Sequence, residues 1–202
     1  MSNLIIVFTK NYLDGKVKTR LAKDIGDDLA MSVFKDLVAH TRAVCSDQDV
    51  ADVHVYFDDH IDEEMWPEAE HFVQIEGNLG QRMYNAFKKG FEAGYEKVVG
   101  IGTDLDELNP GHLEDAFDIL DDVDCVFGEA EDGGYYLIGM NELHDFIFEN
   151  KPWSTSQLLD ETIEELELEG LEYELLDVLN DIDTIVDFKQ SRLYENYADL
   201  LE

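Results

Sequence analysis

The sequence predicts an α/β fold in which one mostly parallel, Rossmann-like sheet carries helices on both faces. Two short apolar runs, at residues 3–9 and 97–102, are typical of strands that are buried on both faces. Strand-like and helix-like segments alternate through the first half of the chain, which favours a parallel sheet. The chain has 202 residues and is 45% hydrophobic, enough for one full core, so we expect a single domain over residues 1–202.

The other elements follow from periodicity and turn signals. Residues 27–46 have apolar side chains at helical spacing, with Asp27 or Asp28 as the expected cap. Pro110 suits the first position of a helix that extends to about residue 120. Ser154 or Thr155 is expected to cap a helix that extends to about residue 169. Further helices are predicted at 79–95 and near the C-terminal end, and strands at 51–57, 72–75, 124–128, 135–140 and 173–176.

The expected strand order is 3-2-1-4, which places the strand at 3–9 beside the strand at 97–102. Ligands of such sheets bind at the carboxyl ends of the strands, where the strand order reverses. The loops that follow these two strands are therefore expected to border the same pocket.

The loop after the first strand is the most basic part of an acidic chain. The chain has 14 basic and 48 acidic residues, yet residues 10–23, called here the basic segment, contain five basic residues and one acidic residue. Lysine and arginine form charge-assisted hydrogen bonds with phosphate, and Gly15 permits close approach of the backbone. The segment predicts a phosphate site in which Lys16, Lys18 and Arg20 are the strongest candidates. A solvated loop that happens to be basic is the alternative.

Asp104 and Asp106 follow directly on the second buried strand. Two carboxylates on a tight turn suit Mg²⁺ or Mn²⁺, which also binds the oxygens of a diphosphate. The same spacing arises by chance in so acidic a chain, for example at Asp181 and Asp183, so a capping or solvated turn is the alternative. The position at a strand end, opposite the basic segment, favours a metal site.

Three other stretches suggest contact with a ligand. Residues 131–136, Glu-Asp-Gly-Gly-Tyr-Tyr, suggest a backbone that passes close to a ligand, and they also suit a hairpin turn. Trp153, which precedes a predicted helix cap, either presents its indole to a substrate or anchors the core. Arg82 lies at a predicted helix start, where it is expected to contact phosphate or an acceptor.

Six motifs occur in one order along nearly the whole chain. They are FTKN…GKVKTRL, G-x-LGQRM, IGTDLDEL, GEAEDGGYYLIG, PWST and DIDT. Together they resemble the small glycosyltransferase-A-type (GT-A) proteins known as glycosyltransferase-like or radical-SAM/selenodomain-associated transferase 1. That family is related to 2-phospho-lactate guanylyltransferase and to the sugar-phosphate nucleotidyltransferases. The resemblance implies a nucleotide-diphospho-sugar transferase fold, with phosphates held by residues 15–20 and a metal held by Asp104.

The chain departs from the family pattern at two positions. The family usually has proline after the asparagine of its first loop, where this chain has Tyr12, which either stacks on a base or leaves the loop looser. The family usually has Ser-Asp-Cys-Pro at the strand end, where this chain has Thr103-Asp104-Leu105-Asp106. Asp104 therefore carries over from the resemblance, whereas Asp106 depends on the local argument alone. The DIDT motif makes Asp183 a further metal or acceptor candidate.

These features predict a metal-dependent transferase with a nucleotide-activated substrate and Mg²⁺ or Mn²⁺. In glycosyl transfer from a nucleotide-sugar to a small acceptor, the metal and the basic segment neutralise the leaving nucleoside diphosphate. Asp132 then orients or deprotonates the acceptor hydroxyl. In nucleotidyl transfer, the alternative, the basic segment stabilises the charge on a nucleoside triphosphate as pyrophosphate leaves. A non-catalytic nucleotide-binding module is the second alternative.

The candidate site residues form four groups. The catalytic candidates are Lys18, Arg20 and Asp132. The candidates for binding the nucleotide or its phosphates are Lys10, Gly15, Lys16, Thr19, Arg82 and Thr103. The metal candidates are Asp104, Asp106 and Asp183. The acceptor-binding candidates are Glu131, Gly133, Gly134, Tyr135 and Trp153.

Composition excludes several other classes of function. A formal charge of −34 argues against non-specific binding of nucleic acid or anionic membranes, which requires a broad positive surface. No stretch approaches the roughly 18 continuous apolar residues of a membrane span. Cys45 and Cys125 lie in apolar contexts without Cys-x-x-Cys spacing, so we expect buried, reduced thiols and a cytoplasmic protein.

Overall fold

The computed structural model describes residues 2–201. These residues contain one seven-stranded sheet with the strand order β3-β2-β1-β4-β6-β5-β7. Only β6 runs opposite to the other strands, because it pairs antiparallel with both β4 and β5. The order β3-β2-β1-β4 is the predicted one, and the α/β class is confirmed. The strands are β1 (Asn3–Thr9), β2 (Asp52–Phe57), β3 (Glu70–Val73), β4 (Lys97–Ile101), β5 (Cys125–Ala130), β6 (Tyr135–Met140) and β7 (Tyr173–Leu179).

Alternating side chains of β1 enter two different core layers. Ile5 and Val7 pack in the layer that contains Phe34 of the second helix, whereas Leu4 and Ile6 pack in the layer that contains helix residues Met83 and Phe87. All four β1 side chains are fully buried, and each contributes about 1.5–3 kcal/mol through removal of apolar surface from water. A strand buried on both faces is therefore apolar without alternation, as the sequence predicts.

Residues 2–201 contain six α-helices. They are α1 (Thr19–Ile25), α2 (Asp27–Ser46), α3 (Leu79–Glu92), α4 (Pro110–Ile119), α5 (Leu158–Glu169) and α6 (Ile185–Gln190). Short 3₁₀ segments lie at Asp145–Ile147, Arg192–Asn196 and Ala198–Leu200. No helix within residues 2–201 is long and apolar enough to cross a bilayer. Cys45 and Cys125 are buried and free, as expected.

The structure corrects the predicted caps of two helices and adds one helix. The residue that caps α2 is Gly26, and Asp27 and Asp28 instead lie in the first turn, where their charge favours the positive end of the helix dipole. Neither Ser154 nor Thr155 caps α5, which begins at Leu158 without a side-chain cap. Residues 19–25, which include the last part of the basic segment, form the helix α1 where the sequence predicts a loop.

Candidate active site

A pocket of about 610 Å³ lies at the carboxyl ends of β1 and β4. This volume is within the range of about 300–1,000 Å³ that is usual for small-molecule sites. β1 contributes Phe8 and Thr9 to the lining, and β4 together with the residues after it contributes Gly100 to Leu105. β1 has β2 on one side and β4 on the other, so the pocket lies where the strand order reverses.

Four cationic side chains form one wall of the pocket, called here the cationic wall: Lys10, Lys18, Arg20 and Arg82. Lys10 follows β1 directly, and Arg20 is in the first turn of α1. Arg82 is in the first turn of α3, where its Nε donates a hydrogen bond to the Gly77 carbonyl at 2.9 Å. The basic segment and a distant helix therefore supply cations to the same pocket.

Lys18 differs from the other three cations because it is buried. Its side chain is 3% exposed, and its Nζ forms an ion pair with Asp104 and lies 3.4 Å from Asp183 Oδ1. Burial lowers the pKa of Lys18, but the carboxylates of Asp104 and Asp183 outweigh this effect and raise the pKa above its usual value. The ammonium group is therefore charged at neutral pH, inside the protein.

Four of the five carboxylates that line the pocket are called here the carboxylate wall: Asp104, Asp132, Asp181 and Asp183. Asp181 is the most perturbed of them, because burial and then the charges of Asp132 and Asp183 raise its pKa to about 6. The Ile182 amide donates to the Asp104 carbonyl at 2.9 Å, which joins the segment before α6 to the end of β4. Residues almost 80 positions apart thus share one site.

Asp181 lines the pocket but is not among the residues predicted from the sequence, where its spacing from Asp183 is of the kind that arises by chance. It belongs to the same DIDT motif as Asp183, and that motif is the signal that could have identified it. Other lining residues have no predicted role. Phe8 and Thr9 lie in the motif FTKN and Leu79 and Met83 in the motif G-x-LGQRM, whereas Asp58 and Gln74 carry no signal in the sequence.

Asp106 does not belong to the carboxylate wall, which corrects its prediction as a metal ligand. Its Oδ2 accepts a hydrogen bond from the Leu193 amide at 3.0 Å, and the residue does not line the pocket. The carboxylate thus holds the 3₁₀ segment Arg192–Asn196 against the loop after β4. The alternative of a capping role for this second aspartate is the one that the structure supports.

The basic segment contacts the pocket with only part of its length. Thr19 lines the pocket, as does Thr103 after β4, whereas Gly15 and the exposed Lys16 do not. Tyr12 packs with its ring centroid 5.9 Å from that of Phe34, in an edge-on arrangement. The structure therefore does not support stacking of Tyr12 on a base, and it does not place Gly15 or Lys16 against a phosphate in this pocket.

The turn at 131–134 connects β5 to β6 and positions Asp132. The hairpin interpretation is confirmed, because β5 and β6 are antiparallel neighbours and Asp132 Oδ1 accepts from the Gly134 amide at 2.9 Å. Gly134 and Tyr135 line the pocket, whereas Glu131 and Gly133 do not. Gly133 has a φ of 84°, and a Cβ there would lie 2.4 Å from the Ser156 carbonyl oxygen.

Trp153 combines the two interpretations that the sequence left open. It lines the pocket, and its ring also packs so closely on α3 that a Cβ at Gly80 would lie 2.9 Å from the indole Nε1. Its ring centroid is 6.4 Å from that of Tyr135, in an edge-on arrangement. Trp153 and Tyr135 therefore form an aromatic side of the pocket, next to Asp132.

The carboxylate wall fits a divalent cation that brings further ligands of its own. Asp104 and Asp183 both contact the Lys18 ammonium, so they are close enough to share one cation. Residues 2–201 contain no group of three or more His, Cys, Asp or Glu side chains arranged to hold a metal alone. Mg²⁺ is usually bound by one or two carboxylates together with substrate phosphates and water, and Asp104 and Asp183 match the carboxylate part of that donor set.

Comparison with protein families assigns the chain. Residues 39–155 match the model of the family described as "Uncharacterized protein conserved in bacteria (DUF2064)". This match covers more than half of the chain, and the chain belongs to that family. No curated protein shows significant sequence similarity to it.

Solved structures share the fold over nearly the full length. A protein from Desulfovibrio desulfuricans G20, described as a "putative nucleotide-diphospho-sugar transferase", is 28% identical, with a TM-score of 0.90 over 100% of this chain and 97% of that chain. CMP:2-keto-3-deoxy-manno-octonic acid synthetase complexed with CTP is 11% identical, with a TM-score of 0.61 over 98% of this chain and 100% of that one. The manganese complex of Rv0371C from Mycobacterium tuberculosis H37Rv is 12% identical, with a TM-score of 0.56 over 94% and 97%. The predicted nucleotide-diphospho-sugar transferase fold is confirmed, and the nucleotidyltransferase structures share that fold.

Proposed function

We propose that this DUF2064 member is a metal-dependent transferase that moves a glycosyl group from a nucleotide-sugar to a small acceptor. The observation that carries the proposal is one pocket, at the switch point of the sheet, that is lined by both the cationic wall and the carboxylate wall. A diphosphate with its metal requires both kinds of group within a few ångströms. The similarity to a nucleotide-diphospho-sugar transferase of 28% identity supports an enzyme of this class.

The cationic wall would stabilise the leaving group. In the reaction, the bond between the anomeric carbon and the diphosphate oxygen breaks, and the nucleoside diphosphate leaves with that electron pair. Lys18 and Arg20 would neutralise the negative charge that develops on its oxygens, in a pocket where water is partly excluded. Lys10, Arg82, Thr19 and Thr103 would bind the remaining phosphate oxygens and hold the nucleotide in position.

Asp132 would act on the acceptor. The Gly134 amide fixes one of its oxygens, so the other is available to a hydroxyl group in the pocket. The acceptor hydroxyl would form the new bond to the anomeric carbon and pass its proton to Asp132. Trp153 and Tyr135, beside this carboxylate, would provide an aromatic surface for the ring of the acceptor.

Asp104 and Asp183 would hold Mg²⁺ or Mn²⁺. The ion, when bound, supplies positive charge to the phosphate oxygens, which favours departure of the diphosphate. Asp181 would increase the negative potential at this position without direct coordination.

Nucleotidyl transfer is the second candidate. The number of cations favours it, because Lys10, Lys18, Arg20 and Arg82 together match the charge of a triphosphate. Here an oxygen of a phosphorylated acceptor attacks the α-phosphorus, the bond to the β-phosphate breaks, and pyrophosphate leaves.

A thermal-shift screen of nucleoside triphosphates and nucleotide-sugars, with and without Mn²⁺, tests the proposal. We expect stabilisation by at least one nucleotide that is greater when Mn²⁺ is present, because the two ligands share one site. An unchanged melting temperature across the panel would refute a nucleotide function altogether. Stabilisation without turnover of any donor would favour a non-catalytic binding module.

The products then separate the two chemistries. Release of nucleoside diphosphate from a nucleotide-sugar indicates glycosyl transfer, whereas pyrophosphate from a triphosphate plus a phosphorylated acceptor indicates nucleotidyl transfer. Both are measured with the same purified protein and the nucleotide that the thermal screen identifies.

A further inference from the structure

We infer that Lys18 is the internal counter-ion of Asp104 and Asp183, and that it makes metal binding dependent on the nucleotide. In the free protein, the ammonium group occupies the position between the two carboxylates. A bound nucleotide would draw it towards phosphate and leave the carboxylates to the metal. This inference rests on the proposed function, because it concerns the same metal and the same phosphates.

The contacts of Lys18 set it apart from the rest of the basic segment. Its Nζ pairs with Asp104 on β4 and with Asp183 before α6, and its side chain is almost fully enclosed. Arg20 also lies 3.5 Å from Asp183, but its side chain is 68% exposed and it pairs with only one of the two carboxylates. Lys18 is therefore the cation of the segment that bridges both proposed metal ligands.

The backbone directs Lys18 to this position. Lys18 has φ and ψ of 45° and 42°, a left-handed conformation that is unfavourable for a residue with a side chain. It lies immediately before α1, where its carbonyl accepts from the Ala22 amide at 2.8 Å, and the preceding Val17 is buried in the core. Strained backbone of this kind persists where surrounding contacts enforce it, often at functional sites.

Electrostatics then makes Lys18 and the metal competitors. One ammonium charge already neutralises much of the charge on Asp104 and Asp183, and a divalent ion beside it would meet repulsion at short range. Phosphate oxygens offer Lys18 equivalent charge-assisted hydrogen bonds, and a lysine stem is long and flexible enough to exchange one anion for another. The arrival of phosphate therefore compensates the loss of the ion pairs.

Binding of Mn²⁺ to the free protein, followed by electron paramagnetic resonance of the unbound ion, tests this role. A chain of charge −34 also binds Mn²⁺ weakly at its surface. Each Lys18 variant is therefore measured with and without the additional substitution Asp104→Asn, and the difference in Mn²⁺ binding between the two gives the binding at the site. Lys18→Met and Lys18→Gln remove the ammonium, whereas Lys18→Arg keeps a cation. Lys23→Met removes an equal charge from the same segment at an exposed residue that does not line the pocket.

We expect Lys18→Met and Lys18→Gln to bind Mn²⁺ about tenfold more tightly than the wild type in the absence of nucleotide, because the short-range repulsion is gone. Lys18→Arg and Lys23→Met should resemble the wild type. Each variant is first compared with the wild type by circular dichroism. Two uncharged substitutions at Lys18 are used so that the test remains possible if one of the two variants misfolds.

An unchanged or weaker affinity in both uncharged variants would overturn the inference. The proposed function would survive that result if nucleotide and Mn²⁺ still stabilise the wild type together. If neither nucleotide nor Mn²⁺ stabilises the wild type, the proposed function is refuted, whatever the Mn²⁺ affinity of the Lys18 variants.

Discussion

Gly15 and Gly133 have similar left-handed backbones, with φ of 69° and 84°, but they lie in regions of opposite character. A Cβ at Gly15, in the basic segment, would meet nothing within 4 Å. A Cβ at Gly133, in the turn that carries Asp132, would lie 2.4 Å from the Ser156 carbonyl. The basic segment therefore has open space around it, whereas the turn of the carboxylate wall is packed against the chain before α5.

The side chains follow the same contrast. Lys10 and Arg20, of the cationic wall, are exposed, so they can adjust to phosphates of different position. The carboxylate wall is held by backbone contacts, including the Ile182 amide on the Asp104 carbonyl and the Gly134 amide on Asp132. Lys18 is the exception, because it originates in the basic segment and is buried with the carboxylates. The pocket thus pairs a fixed anionic wall with an adjustable cationic one.

The largest expected effect is the loss of activity on substitution of the fixed wall. Asp104→Asn should lower turnover about 100-fold or more, because it removes one of the two carboxylates proposed to hold the metal that stabilises the phosphates. Asp106→Asn is the matched control, because the amide oxygen can still accept from Leu193 and the residue lies outside the pocket. We expect its turnover to stay within about twofold of the wild type. Equal losses in both variants would contradict the assignment of Asp104 alone to the site.

The packing contrast should appear next, as a difference in stability. Gly15→Ala should cost about 1 kcal/mol, the penalty of a side chain on left-handed backbone. Gly133→Ala adds the clash with Ser156, so we expect about 3 kcal/mol or more. Chemical denaturation of both variants measures the difference in the free energy of unfolding. Equal losses would mean that the turn at 131–134 relaxes as freely as the basic segment.

The smallest effect concerns the repulsion within the carboxylate wall. The pKa of Asp181 is raised to about 6, by burial and then by Asp132 and Asp183, so the folded state binds more protons than the unfolded state between about pH 4 and pH 6. This contribution therefore lowers stability as the pH rises through that window. Asp181→Asn removes it, and the stability of the variant relative to the wild type should increase from pH 4 to pH 6.

Unfolding at constant ionic strength with a chelator measures this difference, and the comparison cancels the general repulsion of so acidic a chain. A difference that does not change with pH would mean that Asp181 is solvated like an ordinary surface carboxylate. The same experiment on Asp106→Asn provides the baseline.

Local patterns in the sequence were sufficient for much of the fold. Side-chain patterns predict β1, β4 and the helix α2, and the order β3-β2-β1-β4 is the usual one for a sheet of this class. The structure confirms all of them. The reason is that a strand buried on two faces and a helix buried along one stripe each have a characteristic pattern of apolar residues within their own segment. The helix α1 has a weaker sequence pattern, because its seven residues, in a lysine-rich stretch, show little periodicity of apolar side chains.

Only the tertiary structure decided which polar side chains share the pocket. Asp106 and Asp181 each stand two residues from a proposed metal ligand, yet Asp106 bonds to the Leu193 amide and Asp181 faces the pocket. Lys16 and Lys18 are likewise two residues apart, and one is exposed whereas the other is enclosed by two aspartates. The direction of a polar side chain depends on partners that are distant in the chain. The sequence therefore determined the strands and the charge of their loops, and the fold determined which of those charges meet.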